Sequence, residues 1–261
     1  MTAGITRVIV AGQSNPQPYC PDTRVVVDAK YSPLANVPAV SGFRGSFNSD
    51  TRIKIKPWQP YGQVLSYPMT YTPLTSSRLW GGASQVLAWR LANQLGHTLS
   101  ITSWAEGSTG LATDWLPAGV GNRCYRELVN VWNIGNASPY APTLATAART
   151  VLLWWQGETD AMDSTNSAAY QANWNTFIAQ LRTDLGIANL KVLLVKLNAA
   201  SSTTFKANVR SAQVAIQGAD SSRITLFDTD AYALSGDGLH YISTVAETIG
   251  LAIATAIDGM V

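Results

Sequence analysis

The sequence predicts an α/β chain: a three-layer α/β/α sandwich around a mainly parallel sheet of about five strands. Three observations carry this reading. The short apolar runs are continuous rather than alternating, as in strands buried on both faces. Segments with apolar residues at helical spacing fall between those runs, and that alternation is what a parallel sheet covered on both sides requires. The 261 residues, 46% hydrophobic and 13% charged, suffice to bury a substantial core, and no repeat, low-complexity tract or linker divides them.

The first strand is read in TRVIVAG (6–12). It stops at Gly12-Gln13-Ser14-Asn15, a small polar turn. Residues 16–80 then break the alternation: they are rich in Pro, Tyr, Ser and Thr and hold no convincing helix. A loop of that length inside a compact domain is functional or hides structure of its own. We expect an insertion that lies over the active-site edge of the sheet, with room for a small hairpin around TRIKIKPW (51–58). A helix follows at 82–96, closed by Gly96, then a strand at 98–104 and a helix at 122–133. Strand 149–155 leads to a helix at 166–186, again closed by a glycine. Strand 190–197, helix 203–219, strand 223–228 and a last helix at 243–257 complete the chain. Thr244 and Glu247 have capping-box spacing at the start of that last helix.

Composition excludes several classes. The formal net charge is +2 with no basic run, so there is no electrostatic footprint for nucleic acid. No apolar stretch approaches the ~20 residues that span a bilayer. The start has too short an apolar run for a signal peptide, so action outside the cell or on a phage particle would need another route. Two cysteines, Cys20 and Cys124, do not make a disulfide framework, and with two histidines they make no zinc cluster. No metal or cofactor is implied. Nine tryptophans are many; most belong in a core, and some could line a sugar surface.

Ligands of such sheets bind at the carboxyl ends of the strands. That rule gathers Ser14, Glu106, Gln156, Glu158 and Asp228 at one edge. A serine nucleophile needs a general base, most often histidine. His97 lies at the opposite edge and reads as a surface residue. His240 lies in SGDGLHYIS, three residues after Asp237, close enough for the carboxylate to accept from the imidazole while the other nitrogen faces a serine. Gln156, in LLWWQGETD, ends an apolar strand, where its amide could donate to a developing oxyanion.

GQSN (12–15), WWQGETD (154–160) and DGLH (237–240), in that order, resemble the SGNH hydrolase superfamily. The closer likeness is to its sialate O-acetylesterase-like branch, which includes the acetylxylan esterases of carbohydrate esterase family six. WAEGSTGLATDW (104–115) resembles the Gly-Gly-Thr segment of that family, with Ser108 in place of the second glycine. The resemblance covers most of the chain outside 16–80 and implies a flavodoxin-like sheet and a short-acyl ester hydrolase acting on acetylated carbohydrate. Position by position, it implies Ser14 as nucleophile, His240 as general base and Asp237 as its orienting acid, with Glu158 the other candidate for that acid. It implies oxyanion donors in the Ser14 N–H, the Gly82 N–H and the Gln156 side chain, with Asn15 and Glu158 supporting. The family's Gly-Pro pattern is absent here and Gly81 precedes Gly82, so the chain offers two adjacent glycines for that donor. Trp104, Thr109 and Trp115 are the candidates for substrate contact. Three alternatives stand beside this. One is a glycosidase using Glu158, Asp160 or Asp163 as paired carboxylates. The second is a carbohydrate-binding module on an inactive scaffold. The third is an SGNH esterase or lipase for non-sugar esters.

Overall fold

The structure, a computed structural model, describes residues 6–16, 26–28, 34–44, 53–61, 78–80, 83–118, 122–136 and 149–261. Among the described residues nine strands form two sheets: β1 (Thr6–Gly12), β2 (Val26–Asp28), β3 (Leu34–Arg44), β4 (Ile53–Tyr61), β5 (Arg78–Trp80), β6 (Leu99–Ala105), β7 (Arg149–Trp155), β8 (Lys191–Val195) and β9 (Ile224–Phe227). The described helices are α1 (Ala83–Asn93), α2 (Leu111–Asp114), α3 (Arg123–Asn136), α4 (Ser164–Ala168), α5 (Tyr170–Asp184), α6 (Lys206–Ala219) and α7 (Ser243–Asp258).

The main sheet has the order β4-β3-β6-β1-β7-β8-β9. The pairs β3–β6, β6–β1, β1–β7, β7–β8 and β8–β9 are parallel, and only β3–β4 is antiparallel. The expected five parallel strands are β6, β1, β7, β8 and β9. The other two come from the insertion, which contributes a hairpin to the sheet itself. The hairpin expected around TRIKIKPW is the β3–β4 pair, and β4 contains most of that stretch. β2 and β5 pair separately, antiparallel.

β1 is central, and all seven of its residues are buried. Its side chains alternate between two cores. Ile9 and Ala11 join Trp104, Trp154, Trp174 and residues of α3, α5 and α6 on one face. Val8 and Val10 join residues of α1 and α7 on the other. This two-sided burial explains why the strand sequences read as unbroken apolar runs. The helix expected at 166–186 is two helices, parted at Ala169, and Asp163 caps the first by accepting from the Asn166 N–H at 2.8 Å. The capping box at Thr244 does not form; the N-cap of α7 is Ile242, with no side-chain cap. Among the described residues, no helix is long and apolar enough to cross a membrane.

Candidate active site

β1 ends where β7 crowds it. Gly12 lies opposite Trp155 and Ala105 in register and has φ +139°. A Cβ there would sit 2.1 Å from the Trp155 carbonyl oxygen, so only glycine fits. The Gln13 N–H then donates to that same carbonyl at 3.1 Å, and the chain turns out of the sheet at Ser14. Ser14 is half-buried, and its N–H donates to no group among the described residues.

His240 arrives from the loop between β9 and α7. Its Nδ1 lies 2.7 Å from Asp237 Oδ2 and its Nε2 lies 2.8 Å from Ser14 Oγ. An ionised carboxylate only accepts, so the proton sits on Nδ1 and leaves Nε2 to accept from the serine hydroxyl. Asp237 is itself tightly held. It accepts from the Ser235 hydroxyl at 2.6 Å, the Leu239 N–H at 2.8 Å and the His240 N–H at 3.0 Å. Partial burial works against its ionisation, but the bonds from Ser235, His240 and the two backbone amides hold it well below the ordinary carboxylate range.

The loop is braced from two sides. Asn15 donates through Nδ2 to Glu158 Oε1 at 2.8 Å and to the Leu239 carbonyl at 3.2 Å, which ties the serine turn to the histidine loop. Ser202 donates its N–H to the Gly238 carbonyl and its hydroxyl to the Asp237 carbonyl, at 3.0 and 3.1 Å. Gly238 has φ +68°, and a Cβ there would meet Ser202 Cβ at 2.7 Å. Glu158 is buried, and burial pushes its carboxyl upward against the Asn15 bond and the nearby His240. It touches Asn15 rather than the imidazole, so the ring nitrogen belongs to Asp237 and not to Glu158.

Several expected site residues stand elsewhere. Gln156 is buried, and its Nε2 donates to Asp160 Oδ2 at 2.6 Å and to the Thr109 carbonyl at 3.1 Å; Gln13 Oε1 is also within 3.3 Å. An amide has two hydrogens, and both are spent on the scaffold, so the expected oxyanion donor is corrected to a brace. Trp104 and Trp115 are each 0% exposed and offer no face to a sugar. Trp115 packs edge-on against Trp154 at 5.0 Å and donates its N–H to Thr109 Oγ1 at 3.0 Å. Thr109, also buried, donates to the Glu106 carbonyl at 2.6 Å. All three expected substrate contacts therefore hold the framework behind the site. Gly82 and Cys20 lie outside the described residues. Cys124 is free and buried. Glu106 and Asp228 do stand at the carboxyl edge, but each is held in an ion pair, to Arg123 at 2.6 Å and to Lys196 at 2.8 Å. His97 is at the amino edge as expected, but it is not a free surface residue: its side chain is 9% exposed and bonded on both nitrogens.

Asp160 is a residue whose role the sequence did not disclose. Its carboxylate accepts from the Leu111 and Ala112 N–H groups at 2.7 and 3.1 Å, capping α2 from almost fifty residues away. Gln13 is the other. Its Oε1 lies 3.4 and 3.3 Å from the Gly157 and Thr159 amides, joining two motif blocks. Asp163 caps α4, Asp160 caps α2 and Glu158 holds Asn15. That leaves no carboxylate pair among these three flanking an open cleft, as the glycosidase alternative needs.

Residues 68–258 match the model of a family described as carbohydrate esterase, sialic acid-specific acetylesterase. A probable carbohydrate esterase of Arabidopsis thaliana is 31% identical over 105 residues, which cover 40% of this chain and 38% of that protein. An Arabidopsis thaliana protein of known structure superposes over 97% of this chain and 98% of its own, with a TM-score of 0.69 at 20% identity. NanS superposes over 98% of both chains with a TM-score of 0.61 at 14% identity. A carbohydrate acetylesterase from Xanthomonas citri superposes over 95% of this chain and 55% of its own, with a TM-score of 0.57 at 16% identity. At such identities the likeness is one of fold.

Proposed function

Since the chain belongs to the family of carbohydrate esterases described as sialic acid-specific acetylesterases, we propose that it is a carboxylic ester hydrolase of the SGNH type that removes acetyl groups from carbohydrate through an acyl-Ser14 intermediate. The observation that carries the mechanism is the unbroken chain Asp237–His240–Ser14, with its 2.7 and 2.8 Å links. His240 Nε2 takes the Ser14 proton as Oγ attacks the ester carbonyl. The resulting imidazolium is stabilised by Asp237, whose depressed pKa keeps it anionic. His240 then protonates the departing sugar hydroxyl. Water, activated by the same histidine, releases acetate and restores the serine. The Ser14 N–H, without a partner among the described residues, supplies one oxyanion donor. Gly82 is our candidate for a second.

The test is p-nitrophenyl acetate hydrolysis by the wild type and by Ser14→Ala, side by side, with acetylated xylan and an O-acetylated sialic acid as second substrates. Activity abolished in Ser14→Ala establishes the nucleophile, and the substrate that releases acetate selects the sugar. A Ser14→Ala enzyme with undiminished turnover defeats the mechanism.

A further inference from the structure

Among the described residues one non-glycine residue has positive φ: Ser108, at +61°. The left-handed region is uncomfortable for a serine, whose Cβ crowds the following carbonyl. Here the surroundings impose it. The Glu106 N–H donates to the Gly12 carbonyl at 3.0 Å, which fixes the segment to the end of β1. Beyond Ser108, the Thr109 hydroxyl bonds back to the Glu106 carbonyl, and the Thr109 carbonyl accepts from Gln156. Thr109 and Gly110 are buried, while Ser108 between Gly107 and Thr109 is exposed. No hydrogen bond among the described residues engages its hydroxyl. A strained residue held by an over-determined frame, at the strand end next to the one that presents Ser14, points to use rather than accident. β6 is the parallel neighbour of β1, with Gly12 opposite Ala105, so the segment that carries Ser108 leaves the sheet beside the turn that carries Ser14.

Resting on the acetylesterase reading above, we propose that the Ser108 hydroxyl is a specificity-determining contact: it hydrogen-bonds the sugar that carries the acetyl group. Glycine would be the relaxed residue at this backbone position, and the hydroxyl is what serine adds.

The experiment compares wild type, Ser108→Ala and Ser108→Gly on a mono-O-acetylated methyl xyloside and on p-nitrophenyl acetate, with Ser14→Ala as control. Ser108→Ala keeps the Cβ and loses only the hydroxyl. It is expected to raise KM for the sugar ester by roughly three- to tenfold at constant kcat, the worth of one hydrogen bond, with a smaller or no rise for the aryl ester. Ser108→Gly is expected to show the same KM loss and a melting temperature raised by about 2–4 °C as the strain is relieved. Equal losses on both esters, no loss on either, or a wild type that cleaves the aryl ester but not the sugar ester would each overturn the proposal. Residual hydrolysis in Ser14→Ala would instead remove the acyl-serine reading beneath it, and that result is recognised in the control alone.

Discussion

Two histidines stand near opposite ends of β1, and each is held between a hydroxyl and a carboxylate. At the carboxyl end His240 bridges Ser14 and Asp237, at 2.8 and 2.7 Å. At the amino end His97 bridges Thr6 and Asp258, at 2.9 and 2.8 Å. By distance alone the two are equivalent. The surroundings separate them. Thr6 lies inside the strand, 0% exposed, with its N–H already given to the Thr98 carbonyl. No acyl group can reach it. Ser14 lies two residues beyond the strand, half-buried, and its N–H has no partner among the described residues. Asp258 is 45% exposed at its side chain, whereas Asp237 is fixed by four groups. The imidazoles are also reversed, since the carboxylate takes Nε2 in one and Nδ1 in the other. Of the two rows, the one at Ser14 alone has the setting that the proposed nucleophile requires. The hydroxyl must stand beyond the strand end, next to a free amide.

The largest expected effect breaks the symmetry outright. His240→Ala should lower kcat/KM on p-nitrophenyl acetate by about 10⁴-fold or more, because the three residues act as a unit. His97→Ala should leave it within about twofold. Equal losses in the two variants would mean that the amino-end row takes part in the chemistry.

Gln156→Ala comes next. It leaves the buried Asp160 carboxylate and the Thr109 carbonyl each short of a donor, and should destabilise the protein by about 1–3 kcal/mol in urea unfolding. A turnover loss of about 10²-fold with unchanged stability would show instead that the amide swings into the site as an oxyanion donor.

His97→Ala should cost about 1 kcal/mol of stability through its two lost bonds, and His97→Gln should restore part of that. An unchanged urea midpoint for His97→Ala would remove its role as a brace between β1 and α7.

The smallest effect is one of pH. Burial raises the Glu158 carboxyl, so the folded state holds that proton more tightly than the unfolded chain does. Its ionisation therefore costs stability as pH rises from the ordinary carboxylate value through the raised one, and the cost is full above that window. Glu158→Gln has nothing to ionise. Relative to wild type, its stability should improve from about pH 4 upward and level off. A pH-independent difference between the two proteins would show that Glu158 does not titrate there.

How much was legible follows from where the information lies along the chain. The five parallel strands could be read because a strand buried on both faces must be apolar throughout, and β1 and β7 carry that run undiluted. Asp237 and His240 could be paired because they are three residues apart. The Gln156 expectation failed because only one of its partners, Asp160, is four residues away, and the others come from elsewhere. Thr109 lies 47 residues away and Gln13 lies 143 away, and nothing local marks an amide as already occupied. Trp104 and Trp115 read equally well as platform or core, since an indole in a polar segment carries no sign of which side it faces. The insertion was opaque because strands that join a sheet at its edge need no continuous apolar run.

The sequence by itself determined the layer order, the edge of the sheet where chemistry gathers, and the hydroxyl, imidazole and carboxylate that meet there. Those follow from apolar periodicity and short spacings, which are local. Tertiary structure alone decided which of two similar histidine rows faces open space, which donors remain unspent, and that Asp160 caps a helix rather than serving a substrate. Accessibility and hydrogen-bond saturation belong to neighbours brought together by folding, and no stretch of chain states them.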